Sequence, residues 1–309
     1  MPELPEVETI RRDLAPALIG RRIVGLDLLW PGTLDRPSSR SQAEVLLAGQ
    51  RIAGLRRRGK YLLFDLRSGA ILVIHLRMSG RIGLVAADSP EPPHLRARLL
   101  LDDGSELHFI DMRKFGRLYV LAGAGELAEL LANLGPEPLG GSMNLASFRE
   151  RLSIRRTRLK ALLLDQRFLA GLGNIYVDEA LFRAGLHPLR SAAQLDDREA
   201  ARLYEACRMA LTVAINNRGT TFRSYRDGWG VRGGHKELLL VYGRGDEPCH
   251  VCGSEIEKVR IAGRGTHLCP VCQPLEPHAP ASVATRTRRV AEIDAPYVAT
   301  SEAAGSSQG

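Results

Sequence analysis

The sequence predicts an α+β protein: a β-rich first half, a helical second half and a closing hairpin that binds metal. Three observations carry this. Short apolar runs broken by Ser68-Gly69 and Asp103-Gly104 fill residues 22–120, the pattern of strands joined by tight turns. Apolar residues at helical spacing take over beyond about residue 140. Two Cys-x2-Cys pairs then follow, each setting two thiols on one turn.

The elements follow in order. Val7, Ile10, Leu14 and Leu18 repeat at helical spacing, so a helix is expected over 5–19, stopped by Gly20. Runs 61–66, 71–76 and 98–101 read as strands of a sandwich or flattened barrel, and 88–93 as a polar, proline-rich loop. A short helix is expected over 126–134. Gly135-Pro136-Glu137-Pro138 and Gly140-Gly141 then read as an interdomain hinge. One helix ends near Gln166 and another begins at Asn174, with Asn174 as its cap and a glycine-bearing turn between them. Leu203, Cys207, Ala210, Leu211 and Ala214 line one face of a helix over 198–217, where Cys207 is a small buried residue. Residues 219–236 are rich in Gly and Arg and are expected to form a mobile loop. Residues 275–309, rich in Ala, Ser, Thr and Pro without periodicity, read as a disordered tail.

The chain of 309 residues is long enough for two domains, and its charge of +8 favours a polyanionic partner, nucleic acid or anionic lipid. No apolar run approaches the roughly 20 residues that span a bilayer. Glu3, Glu6 and Glu8 argue against a signal peptide, so a cytoplasmic location is expected. An odd number of cysteines, five, argues against a disulfide framework.

Several residues carry chemistry. Removal of Met1 would leave Pro2 with a free secondary amine, which titrates at roughly 7.7–8.0 and can attack a sugar or aldehyde carbon to form an iminium. Glu3 beside it can move protons, and nucleophile plus acid is what a Schiff-base lyase requires. Cys249, Cys252, Cys269 and Cys272 have the spacing of a closed four-thiolate site, so one structural zinc is expected. The stretches 256–260 and 263–267 between the pairs read as a β-hairpin, with His250 and His267 exposed on it. Arg264, between two glycines at its tip, can enter a groove or clamp a phosphate. Lys60, at a strand start after Arg56-Arg57-Arg58-Gly59, can hold a phosphate or carry a proton. Arg155, Arg156, Arg158 and Lys160 add charge ahead of a helix N-terminus that can face phosphate. Met78 and Phe115, each on a turn with arginine and glycine, suit a wedge into a base stack.

Together these motifs resemble the bacterial formamidopyrimidine-DNA glycosylases, the Fpg/Nei group of repair enzymes, from Pro2 to about Gln273. The matching stretches are Pro2-Glu3-Leu4-Pro5-Glu6-Val7-Glu8-Thr9, Arg58-Gly59-Lys60-Tyr61, His75-Leu76-Arg77-Met78-Ser79-Gly80, Asp111-Met112-Arg113-Lys114-Phe115-Gly116, residues 171–176 and the four-cysteine finger. The resemblance implies a catalytic β-sandwich over 1–134, a hinge over 135–146, a helix–two-turn–helix DNA-binding domain over 147–238, a zinc finger over 239–273 and a tail over 274–309. It implies a bifunctional glycosylase/AP lyase that removes 8-oxoguanine and formamidopyrimidines from duplex DNA and cleaves the strand by β,δ-elimination. The lyase would also act at abasic sites, as a monomer and away from membranes. Pro2 would attack C1′, Glu3 would help open the sugar, Lys60 would assist at the damaged nucleotide and Arg264 would serve δ-elimination and phosphate binding. Met78, Arg113 and Phe115 would fill the gap left by the flipped base. Asn174, His94 and Arg156 would contact DNA. Met112 stands where the family has Pro or Val, and the loop around 226–236 departs from the family's damaged-base loop. Two alternatives are a Nei-like enzyme for oxidised pyrimidines and a non-catalytic protein that binds damaged DNA.

Overall fold

Helix α1 (Leu4–Leu18) serves two cores at once. In this computed structural model, which describes residues 1–222 and 224–275, its Val7, Ile10, Leu14 and Leu18 pack into the first core and its Leu4 into the second. The tail expected over 275–309 lies, from residue 276 onward, outside the described residues.

The first core is a sandwich of two sheets. One is ordered β1-β7-β8-β6 and comprises β1 (Ile23–Leu28), β6 (Arg81–Val85), β7 (Leu95–Leu101) and β8 (Glu106–Ile110). The other is ordered β2-β9-β5-β4-β3, from β2 (Leu34–Arg36), β3 (Ile52–Arg58), β4 (Tyr61–Leu66), β5 (Ile71–His75) and β9 (Arg117–Leu121). Alternate residues of β7 are buried, as a strand with one face on a core requires. Strand β5 is buried throughout because its other face is covered. Its Leu72 and Ile74 point into the sandwich, while Ile71 and Val73 meet Leu127 of α3 (Ala124–Leu131).

Helix α2 (Arg40–Leu47) interrupts the stretch expected to hold strands alone. It buries only Ala43 and Leu47, so its periodic signal is too weak to read. Its start is fixed by Ser39, whose side chain accepts from the Gln42 amide.

The second core is helical: α4 (Leu145–Ser153), α5 (Leu159–Leu164), α6 (Asn174–Ala184) and α7 (Asp197–Asn216) surround Phe148, Leu162, Tyr176, Leu203 and Leu211. The helix expected to end near Gln166 is thus two, parted at residues 154–158. Helix α7 opens on a capping box: the Glu199 amide donates to Asp196 Oδ1 at 2.7 Å and the Asp196 amide to Glu199 Oε2 at 3.1 Å. Cys207 is buried on its inner face.

The expected hinge is bonded to its neighbours. Arg57 donates to both carboxylate oxygens of Glu137 at 2.9 and 2.7 Å, and the Gly59 amide also donates to Glu137. Arg58 reaches the carbonyls of Leu134 and Gly135, and the Ala170 amide bonds Pro136 O. Arg57 also contacts Glu8 of α1 at 3.2 Å, so one guanidinium joins α1, β3 and the connecting segment.

Burial raises the Glu8 carboxyl pKa, but Arg11, Arg12 and Arg57 outweigh it and hold the group at about 2. A folded-state value below the ordinary 4.5 means stability that is present above pH 4.5 and lost as pH falls towards 2. Glu8→Gln is therefore expected to be less stable than wild type at pH 7, with the gap in urea midpoint closing below pH 4.5 and gone near pH 2.

Candidate active site

The first residues of α1 lie against the turn before α6. The Leu4 amide donates to Gly171 O at 3.1 Å. A Cβ on Gly171 would sit 2.4 Å from Leu4, and one on Gly173 would sit 2.3 Å from the Glu3 carboxylate. Gly171 also has φ +104°, so both glycines are demanded, one of them twice over. Within this contact Pro2 and Glu3 are buried while Met1 is exposed.

Glu3 Oε1 accepts the Ile175 amide at 3.1 Å, at the N-terminus of α6, and its backbone amide donates to Glu6 Oε2 at 2.7 Å. Its other oxygen, Oε2, is buried with no partner among the described residues. Burial pushes this carboxyl above the usual range against the pull of Lys60. Lys60, in the β3–β4 turn, is buried and donates to Leu172 O at 2.8 Å. Burial lowers its pKa, opposed by Glu3 and Glu6. Glu6 accepts the Tyr176 hydroxyl and, at 2.8 Å, the Thr220 amide. The structure thus sets Lys60, from the β3–β4 turn, within electrostatic reach of Glu3, which follows Pro2 at the head of α1. Glu6 and Tyr176 complete the cluster; both stand in the quoted motifs, but spacing gave no sign that they would pair.

The finger hairpin, β10 (Glu257–Ile261) and β11 (Arg264–Leu268), docks on the same helix N-terminus. Asn174 is not the cap of α6. Gly173 holds that position, and Asn174 Nδ2 instead donates to Gly265 O at 2.8 Å, beside the exposed Arg264. Arg264 lies near enough to lower the Lys60 pKa further. His267 is not exposed: its backbone amide donates to buried Asp178 Oδ2 at 3.0 Å. Nor is Lys160 part of the surface charge. It is fully buried and paired with Asp178, because it falls on the inner face of α5. Arg155, Arg156 and Arg158 are exposed, as is His250.

Met78, Arg113 and Phe115 form a second constellation. Met78 and Phe115 are 40% and 44% exposed, large values for apolar side chains. The Arg113 guanidinium lies 4.6 Å from the Phe115 ring centroid and donates to Met78 Sδ at 3.4 Å. Buried Asp111 organises both turns: it accepts the Ser79 hydroxyl and the amides of Arg113 at 3.2 Å and Gly116 at 2.7 Å. Its own amide donates to the carbonyl of exposed His94 at 3.0 Å. Asp111 is legible in the sequence only as a motif letter; its carboxylate accepts the amide two residues on, the Asx turn that Asp favours.

The loop over 219–236, expected to be mobile, is anchored at several of its described residues. Tyr225, Asp227 and His235 are buried, and Thr220 bridges Gly234.

The sulfurs of Cys249, Cys252, Cys269 and Cys272 all lie within 4.8 Å of one another. Two pairs are 3.9 and 3.4 Å apart, close to the ~3.8 Å edge of a tetrahedron with Zn–S of about 2.3 Å. The four residues fit one structural zinc. Gln273 fixes the finger's end, accepting the Cys269 amide at 3.0 Å and donating to Leu186 O at 2.9 Å.

Models of the formamidopyrimidine-DNA glycosylase N-terminal domain and H2TH domain match residues 1–118 and 134–226. The model of the zinc finger found in FPG and IleRS matches residues 246–275. The chain belongs to the formamidopyrimidine-DNA glycosylase family. A formamidopyrimidine-DNA glycosylase of Herpetosiphon aurantiacus is 48% identical over 274 residues, 88% of this chain and 100% of the relative. One from Symbiobacterium thermophilum is 48% identical over 290 residues, 94% of this chain and 93% of the relative. A Lactococcus lactis Fpg variant bound to Fapy-dG-containing DNA superposes with a TM-score of 0.83 at 37% identity, over 88% of this chain and 100% of that one. The L. lactis enzyme with abasic-site DNA gives 0.81 at 36%, with the same coverage. As a member of this family the chain is a DNA glycosylase of base excision repair, with an α+β fold and an FPG-type zinc finger.

Two outcomes are expected. Metal analysis should find one zinc per chain, and Cys249→Ala should lose it together with binding to duplex DNA. Asp111→Ala strands three buried or partly buried donors, so a loss of about 1–3 kcal/mol in denaturant-derived stability is expected.

Proposed function

We propose that this glycosylase is bifunctional, excising 8-oxoguanine and formamidopyrimidines through an imine on Pro2 and then cleaving the strand by β,δ-elimination. The observation that carries this reading is the buried Pro2–Glu3 pair within the electrostatic reach of Lys60, with one Glu3 carboxylate oxygen free of partners among the described residues.

With Met1 removed, the Pro2 nitrogen attacks C1′ of the everted nucleotide, and the base departs with the electrons of the glycosidic bond. Glu3, whose raised pKa favours the protonated form, delivers a proton as the sugar ring opens, leaving the imine. The imine acidifies C2′, so that loss of a proton there expels the 3′ phosphate. Lys60, with its pKa lowered by burial, has a larger neutral fraction for proton transfer at the damaged nucleotide. Arg264 meets the phosphate in the second elimination. Met78, Arg113 and Phe115 occupy the gap in the stack, and Arg113 pairs with the orphaned cytosine. His94, Arg156 and Asn174 contact the DNA backbone.

We assign catalysis to residues 1–134 and DNA holding to 147–238 and the finger over 239–273, joined through 135–146. Damaged duplex DNA is the partner, bound by a monomer in the cytoplasm. Among the described residues no helix is long and apolar enough to cross a membrane.

Borohydride is expected to trap a covalent complex on duplex DNA carrying 8-oxoguanine opposite cytosine. Pro2→Gly should sharply reduce trapping and residues added before Pro2 should abolish it. Trapping only on a thymine-glycol duplex would move the enzyme to oxidised pyrimidines. Undiminished trapping with a blocked N-terminus would remove Pro2 from the mechanism.

A further inference from the structure

Lys60 is held at both ends by one short stretch of chain, residues 134–137. At the backbone end an ion pair grips the preceding residue, Gly59. The Gly59 amide donates to Glu137 Oε1, and the Gly59 carbonyl accepts from Arg57 Nη1 at 2.9 Å. Arg57 also donates to both oxygens of the same carboxylate, at 2.9 and 2.7 Å. Gly59 has φ +56°, the left-handed conformation that lets the β3–β4 turn close, and a Cβ there would lie 3.5 Å from Ala170 and 3.8 Å from the Gly171 amide nitrogen.

At the charged end, Lys60 Nζ donates to Leu172 O at 2.8 Å. The chain that supplies this carbonyl is bonded to the same stretch. The Ala170 amide donates to Pro136 O at 3.0 Å, and the Gly135 amide donates to Gln166 O at 2.8 Å. Gln166 Nε2 then donates to the Leu172 carbonyl, also at 2.8 Å. The backbone of Lys60 and the acceptor of its ammonium therefore take their positions from one segment, which joins the two cores.

Glu137 is the joint of this arrangement. It is buried, and its own amide donates to Ser142 Oγ at 3.2 Å. Neutralising Arg57 would take the carboxylate alone; the bond to the Gly59 amide is additional, and it lies one residue from Lys60. A side chain whose neighbour's backbone is fixed loses little freedom when it meets its partner, which is how a distant group sharpens a site. Resting on the glycosylase/lyase reading above, we propose that Glu137 is a positioning residue for Lys60: it sets the place of the lysine amine within reach of Glu3, and does so only when the two halves of the molecule are seated on each other. Glu137 touches neither substrate nor sugar and acts through Lys60 alone.

The test is a double-mutant cycle on the full chain, read as single-turnover excision of 8-oxoguanine opposite cytosine, for wild type, Glu137→Ala, Lys60→Met and the double variant. Thermal melting reports folding, and Glu137→Gln carries the same cycle if Glu137→Ala does not fold. Excision is expected to fall about tenfold or more in Glu137→Ala, the order of loss a displaced group causes, and less in Glu137→Gln, which keeps an acceptor for the Gly59 amide. The residual rate of Lys60→Met, which retains Pro2 and Glu3, sets the baseline, and the double variant should stay within about twofold of it. Amide exchange should rise over residues 58–62 in Glu137→Ala. Losses that multiply in the double variant would make Glu137 a general support of the fold and overturn the proposal, as would a wild-type rate in Glu137→Ala. A wild-type rate in Lys60→Met would remove Lys60 from the mechanism and the proposal with it, while borohydride trapping by wild type would leave the function standing. Wild-type protein that neither excises nor traps would overturn both.

Discussion

Glu3 reaches the start of α6 because residue 173 has no side chain, and the rest of the molecule is arranged around that contact. A carboxylate this deeply buried needs compensation. It receives one backbone N–H at a helix N-terminus, where the dipole favours negative charge, and the positive charge of Lys60. For these to converge, α1 must sit in two cores at once. The sandwich supplies Lys60, the helical half supplies Ile175, and Leu4 crosses between them. The buried Arg57–Glu137 pair holds the halves in register. Breaking such a pair from one side costs about 3–5 kcal/mol, which gives the geometry of the site the rigidity of a core.

Burial shapes the chemistry as well as the geometry. It raises the pKa of the Glu3 carboxyl and lowers that of the Lys60 amine, so the two move towards each other. A proton then passes between groups of this kind with less driving force against it than between the same groups in water. Glu6 adds to the Glu3 shift through its charge and opposes that of Lys60, while its own oxygens are occupied by Tyr176, Thr220 and the Glu3 amide. Its hydrogen bonds make Glu6 part of the frame, and of the two Glu3 keeps an oxygen with no partner among the described residues.

The sequence was legible where one periodicity or spacing decided the outcome. Helices α1 and α7 followed from apolar repeats, and the four thiols converge as their spacing required. It was less legible where a residue's fate depended on a partner far along the chain. Lys160 reads as one more charge in a basic run, and only the fold shows Asp178 waiting for it. Asn174 reads as a cap because Asn favours that place, but Gly173 is needed there to clear Glu3, which frees the Asn174 amide for the finger. His267 went the same way, drawn inward by Asp178. Helix α2 was lost for the opposite reason: with two buried residues it carries too little pattern to separate it from the strands around it.

Two aspartates show how the surface is kept ready for a partner. Asp111 and Asp227 are each almost wholly buried, and each accepts two amides of a tight turn. The turns then carry apolar side chains outward, Phe115 in one case and Trp229 and Val231 in the other. Left to solvation alone, such side chains would fold back, and a flexible turn would let them. Fixing the backbone from below with a buried acceptor removes that option, and the ordering cost is met at folding rather than at binding. An excess of eight positive charges brings a polyanion to this surface without selecting any base. On the function proposed above, selection would fall to the rigid apolar groups, which would gain contact where a duplex opens easily, as at a damaged pair.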